Sequence, residues 1–304
     1  MNGRLATVAV WTTLAGVAAA AQVFRGGTDT VFLSVTVTRG AGQLVGGLTR
    51  EKFLVYEDGV KQEITTFSSS QQPIALSILL DTSTSMEYKL GLAQEGAIGF
   101  VRRLLADDVA QIVDFDNQPV VVQDFTRDVA LLEAAIRKTQ AGGSTSLYNA
   151  LYQALRDPRF AQTASASDEI RRRAIVVLSD GEDTSSLLDY DEVLATSKRT
   201  DVSVYAIGLR SREDAPRRGF NEAEFVLRTL SQETGGRAFF VDDARQLPAV
   251  YQQIADELAN QYSIGYTSKN PRRNGAWRQI HVRVSAPEAT ARTKSGYFGP
   301  KDTR

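Results

Sequence analysis

"ALSILLDTSTSMEYK", residues Ala75 to Lys89, decides the fold. An unbroken apolar run ends in Asp81, and hydroxyl side chains fill the next four positions, Thr82, Ser83, Thr84 and Ser85. A short, continuously apolar run fits a strand covered on both faces. Such strands belong to parallel sheets flanked by helices, and ligands bind those sheets beyond the carboxyl ends of the strands. Asp81 and its hydroxyl neighbours fall at that edge.

Working outward, residues 73–260 alternate strand and helix patterns. "LGLAQEGAIGFVRRLL" (90–105) has helical spacing at Leu92, Ile98, Val101 and Leu105. "VAQIVDF" (109–115) and "PVVVQDF" (119–125) read as a hairpin, and "VALLEAAIRKT" and "SLYNALYQAL" as helices. "RAIVVLSD" (173–180) is a second buried strand ending in aspartate, and "VSVYAIGL" (202–209) a third. "EFVLRTLSQET" then reads as a helix, "GGRAFFV" as an edge strand, and "LPAVYQQIADELANQ" as a closing helix. The expected class is α/β, a Rossmann-like, mostly parallel sheet with helices on both faces.

The flanks are β in character. In "TVFLSVTVTR", Val31, Leu33, Val35 and Val37 alternate with polar or small residues. "FLVYEDGVKQEITTF" turns at Asp58-Gly59, and "SSSQQP" (Ser68 to Pro73) is a linker. After the closing helix come "YSIGYTS", "WRQIHVRVSA" and "ARTKSGYFG", with Asn274-Gly275 as a further hairpin signal between the first two. Neither flank, 22–72 or 261–304, carries much core of its own, and isolated two- or three-stranded pieces are marginal in water. The two are therefore expected to pack together as a β-sandwich-like domain into which 73–260 is inserted. Two separate small β units are the alternative.

Composition narrows the chemistry. The 304 residues include 35 Lys and Arg against 36 Asp and Glu, a formal charge of −1, which gives no electrostatic case for nucleic acid or an anionic membrane surface. Without any cysteine, disulfides, zinc–thiolate sites and thiol nucleophiles are excluded. His281 is the only histidine and sits in a predicted strand of the C-terminal β region, so no Ser-His-Asp set assembles near Ser83 without a crossing between domains. Residues 1–21 read as a signal peptide: Arg4, an apolar stretch from Leu5, and an Ala19-x-Ala21 ending before Gln22. The expectation is export to the periplasm or beyond, with no stable membrane insertion after cleavage; an uncleaved anchor is the alternative.

Three features fall at the carboxyl edge of the sheet: Asp81, Ser83 and Ser85; Thr145, after Gly142-Gly143 and before a helix; and Asp180, at the end of its strand. Two carboxylates and three hydroxyls make an all-oxygen set. Hard divalent cations such as Mg²⁺ take such ligands and keep several waters. Neutral hydroxyls leave the charge of the ion poorly cancelled, so a free position would favour a carboxylate from outside. Serine and aspartate also populate caps and turns, and Asp183 is read that way, as are Asp114 and Asp116 in a hairpin turn. Tyr148 and Tyr152, four apart, are read as packing residues.

The D-x-S-x-S pattern with the later threonine and aspartate resembles the metal-ion-dependent adhesion site of von Willebrand factor type A domains. The resemblance implies direct contact of Ser83, Ser85 and Thr145 with the ion, and contact of Asp81 and Asp180 through water. The family most often has glycine before the second serine, where this chain has Thr84. The flanks, "TVFLSVTVTRGAGQLVGGLTREKFLVYEDGVKQEITTF" and "QYSIGYTSKNPRRNGAWRQIHVRVS", are similar to those of exported bacterial relatives common in acidobacteria. The implied function is non-enzymatic binding of an Asp or Glu of a protein partner through Mg²⁺, with Mn²⁺ or Ca²⁺ as alternative ions. A structural component of an envelope complex with a permanently occupied site is the second reading. A metal-assisted hydrolase is the third, and the nearby carboxylates, already engaged in orienting the ion, count against it.

Overall fold

The computed structural model describes residues 30–160, 171–210 and 222–302. The expected leader, 1–21, lies outside the described residues.

The central sheet contains β6 (Ile74–Asp81), β7 (Val109–Phe115), β8 (Pro119–Thr126), β9 (Arg172–Ser179), β10 (Val202–Leu209) and β11 (Ala238–Val241), in the order β11-β10-β9-β6-β7-β8. All neighbours are parallel except β7 and β8, which form the expected antiparallel hairpin. Every residue of β6 is buried, and its two faces feed two cores. Leu76, Ile78 and Leu80 pack with α1 (Leu90–Val101), α2 (Val129–Lys138) and α6 (Leu247–Ala259). Ala75 and Leu79 pack with α3 (Leu147–Leu155), α4 (Tyr190–Ser197) and α5 (Glu222–Thr234). The chain leaves β6 for β7 on one side, while β9 lies on the other. The carboxyl ends of β6 and β9 therefore flank the point where strand order reverses, the place such sheets leave open for a ligand.

Two details differ from the periodicity reading. Leu92 and Leu105 are exposed, and α1 ends at Val101; its buried stripe is Leu90, Ala93, Gly96, Ala97, Ile98, Phe100 and Val101. Small residues were the signal, because α1 lies so close to α6 that a Cβ on Gly96 would sit 3.0 Å from the Tyr251 ring. Helix α4 went unread, although Asp189 and Glu192 make a capping box at its start.

The flanking segments interleave. One sheet has the order β14-β1-β12-β5, with β2 also beside β1, and a second has β15-β13-β3-β4. Here β1 is Thr30–Arg39, β2 Gln43–Leu44, β3 Phe53–Glu57, β4 Val60–Gln62 and β5 Ile64–Ser68. The later strands are β12 (Tyr262–Thr267), β13 (Trp277–Val284), β14 (Ala289–Arg292) and β15 (Gly296–Phe298). Leu33 pairs with Ile264 and Val55 with Val282, so each sheet is closed by one strand from either end of the chain. Their inward residues share one core with Phe53 and Tyr262, whose rings lie 4.9 Å apart.

Asp58 and Gly59 both have positive φ, as a two-residue hairpin turn requires. Asn274-Gly275 is a correction: it does not join a hairpin, because β12 and β13 lie in different sheets, and Asn274 instead bridges to Lys301. "ARTKSGYFG" likewise divides between β14 and β15. Among the described residues no helix is long and apolar enough to cross a membrane.

Candidate metal centre

Strand β6 delivers Asp81 with no exposed surface. One carboxylate oxygen accepts the Ser83 amide at 2.9 Å and the other accepts the Ser179 hydroxyl at 2.5 Å, which ties the end of β6 to the end of β9. The chain then makes a 3-10 turn over Thr84–Met86, which sets the Ser83 and Ser85 hydroxyls 3.0 Å apart. The Ser85 hydroxyl donates to Asp180 at 2.7 Å, and the other Asp180 oxygen receives the Lys89 ammonium at 2.5 Å. Asp81, Ser83, Ser85 and Asp180 thus form one hydrogen-bonded group at the expected edge.

Thr145 joins through its loop. The Gly142 amide donates to the Thr82 carbonyl at 2.7 Å. The Gly143 carbonyl receives both the amide and the hydroxyl of Thr84, at 3.1 and 2.9 Å. Thr84, the departure from the more common glycine, therefore fastens the first loop to the second. Gly143 has φ +72°, and a Cβ there would fall 2.5 Å from the Asn117 amide nitrogen. The third loop closes on Thr145 itself: its carbonyl accepts the Thr184 and Ser185 amides at 2.9 and 3.1 Å, and its amide donates to the Thr184 hydroxyl at 3.0 Å. These bonds hold the backbone of Thr145 and leave its hydroxyl out.

Asp183 behaves as a cap. Ser146 precedes α3 but makes no side-chain cap bond; Asp183, from another loop, accepts the Tyr148 amide at 2.8 Å in its place. Asp114 accepts the Thr82 hydroxyl from its place in β7, and Asp116 serves through its carbonyl, which takes the Ser146 amide at 2.8 Å. Tyr148 and Tyr152 pack at the margin of the core, as read.

The local field is negative. Burial pushes the Asp81 carboxyl above its ordinary range against the hydrogen bonds from Ser179 and Ser83, and Asp180 adds repulsion. Burial raises Asp114 in the same way, with Asp116 adding to it. The Tyr148 phenol is pushed up to about 12 by burial and by Glu222, Asp183 and Glu182.

Two neighbours escaped the sequence reading. Ser179 carries no motif signal. Lys89 did carry one: it stands at the N-cap of α1, where the helix dipole disfavours a cation, so its placement implied an anion nearby.

The donor set fits a hard cation. Its carboxylates and hydroxyls are all oxygen, Asp81 is buried with too few donors to offset its desolvation, and in the third loop, whose Ser185 amide is bound to the Thr145 carbonyl, the buried Ser185 hydroxyl has no partner. Among the described residues no three Asp, Glu, His or Cys cluster as a metal cage. A cation here would rely on hydroxyls and water, a manner of binding that suits Mg²⁺ better than the 6 to 8 oxygen ligands typical of Ca²⁺.

Known proteins share this arrangement of elements. The family model described as von Willebrand factor type A domain matches residues 76–253. A von Willebrand factor type A structure from Catenulispora acidiphila aligns at TM-score 0.51 and 15% identity, covering 90% of this chain and 74% of that one. Proximal thread matrix protein 1 from the mussel byssus, solved with a zinc-occupied MIDAS motif, aligns at TM-score 0.52 and 17% identity over 67% of this chain and 50% of its own. Inter-alpha-trypsin inhibitor heavy chain H1 of Sus scrofa is 24% identical over 200 residues, 62% of this chain and 21% of that protein. The chain spans less than half the length of the curated relatives it matches.

Proposed function

The chain belongs to the von Willebrand factor type A family, and from that premise we propose that it is a non-enzymatic binding module that holds a divalent cation for a carboxylate of a protein partner. Asp81, Ser83, Ser85, Thr145 and Asp180 would hold the ion, Mg²⁺ in the first place. When bound, the ion supplies a Lewis-acidic position that an outside Asp or Glu can occupy. The observation that carries this reading is the stitching of three loops into one oxygen-lined group at the switch point of the sheet, with Ser83, Ser85 and Asp180 in continuous contact. The zinc-occupied motif of the mussel protein supports it. In the same reading the protein acts outside the cytoplasm, and the interleaved β segments form one domain that carries the inserted module.

Calorimetric titration of Mg²⁺ and Mn²⁺ into residues 22–304 tests the site, with Asp81→Ala and Thr145→Ala as controls. Saturable binding that disappears in both variants is the expected result. Identical behaviour of wild type and variants up to millimolar metal would sink the reading.

A further inference from the structure

At the opposite, amino-terminal edge of the central sheet, a cavity of about 280 Å³ lies in the seam between the α/β unit and the β unit. It is lined by Phe32 and Ser263 from the β unit and by Arg171, Arg172, Arg173 and Val202 from the starts of β9 and β10. Its charges do not cancel. Lys198 pairs with Glu233 at 3.4 Å and Lys294 with Asp201 at 2.5 Å, and all four line the same space. That leaves three arginines with no ion pair among the described residues.

Two of the three are more than nine-tenths buried, Arg171 at 6% and Arg172 at 8% exposure. Arg172 donates to the Gln261 side chain at 3.0 Å and to the Gln72 carbonyl at 2.9 Å, and its Nε has no partner. Arg171 donates to the Asp107 carbonyl, and its Nε is also unpartnered. Asp108, whose field reaches Arg172, is already engaged by the Ile74 and Leu105 amides at 2.9 Å each. Burying guanidinium groups with no carboxylate in direct contact is costly, and a planar, forked donor is suited to a carboxylate. Phe32, an aromatic ring left 45% exposed, lines the same space.

We propose that this cavity binds a small organic anion, a carboxylate on a compact apolar body. Arg172 and Arg173 take the carboxylate, and Phe32 and Val202 face the body. The placement gives the ligand a consequence. The chain crosses the seam through the Ser68–Pro73 linker and again at Asn260–Gln261. Arg172 bonds to Gln72 on the first crossing and to Gln261 on the second. An anion held there braces both crossings and stiffens the junction of the two units.

Benzoate is the probe, titrated into residues 22–304 in metal-free, chelator-free buffer and followed by calorimetry and thermal melting. Neutral benzyl alcohol and inorganic phosphate are the comparisons. Saturable benzoate binding that raises the Tm is expected, with benzyl alcohol at least about tenfold weaker. Arg173→Gln removes a charge that holds no structural bond among the described residues, and it is expected to weaken benzoate about tenfold while leaving the Mg²⁺ response unchanged. Equal binding of benzoate and benzyl alcohol, an unaltered affinity in Arg173→Gln, or binding of phosphate without benzoate would each overturn the assignment. The alcohol comparison uses wild-type protein, so it decides even if the variant folds poorly.

Discussion

Two buried acidic clusters, one in each unit, are built on opposite principles. In the β unit, Glu57 is 1% exposed and accepts the phenols of Tyr266 and Tyr297 at 2.9 Å each and the Ser268 hydroxyl at 2.6 Å. It faces Arg278, itself 2% exposed, at 3.4 Å. Arg278 donates in turn to Ser268, Tyr297 and the Arg272 carbonyl. One anion meets one cation, and every partner of Glu57 comes from the far end of the chain. Burial and Glu57 push the Tyr266 phenol far above its ordinary range, so it stays a donor. This cluster is closed. At the metal centre Asp180 pairs with Lys89, whereas Asp81 is held only by an amide and a hydroxyl, the Ser185 hydroxyl has no partner, and most of the donors come from loops. A satisfied polar network specifies a fold, whereas an unsatisfied one at a sheet edge leaves room for a ligand.

Breaking the closed cluster should have the largest effect. Glu57→Ala strands a buried guanidinium and should cost about 3–5 kcal/mol in denaturant unfolding while the Mg²⁺ response persists. Pairing it with Arg278→Met should recover much of that loss; strict additivity of the two losses would mean that the pair is not coupled.

Lys89→Met tests whether the metal centre is open. The Asp180 side chain is fully buried and the ammonium is its cation, so metal-free stability should fall by about 1–3 kcal/mol. Saturating Mg²⁺ should then raise the Tm more than it does in wild type. An unchanged metal-free Tm would show that Asp180 needs no cation, which would make this cluster as closed as the first.

Gly143→Ala imposes a positive φ on alanine and crowds Asn117, so a loss of about 1–2 kcal/mol is expected together with weaker Mg²⁺ binding. Thr84→Val, the mildest, removes one hydroxyl bond to the Gly143 carbonyl and should cost about 1 kcal/mol. Calorimetry on both variants would sharpen the comparison, because loss of metal affinity without wider unfolding would show that the loop stitching shapes the site.

Much of this was legible in the residues. Continuous apolar runs marked β6, β9 and β10, and the aspartates ending two of them pointed to the switch point. Periodicity failed where packing depends on small residues, as on α1, where Gly96 rather than Leu92 faces α6. It failed again at Asn274-Gly275, because a turn signal records local φ preference and not which sheet the next strand joins.

By itself the sequence determined the α/β class, the order of the strands of the central sheet and of every helix but α4, and the chemistry of the edge, since burial pattern and residue type act locally along the chain. Tertiary structure alone decided that Lys89 meets Asp180, that Asp183 caps a helix belonging to another loop, and that Glu57 finds its partners some 210 to 240 positions away. It also decided that three arginines surround a cavity in the seam. Those contacts join groups distant in sequence, and no local preference encodes the distance between them.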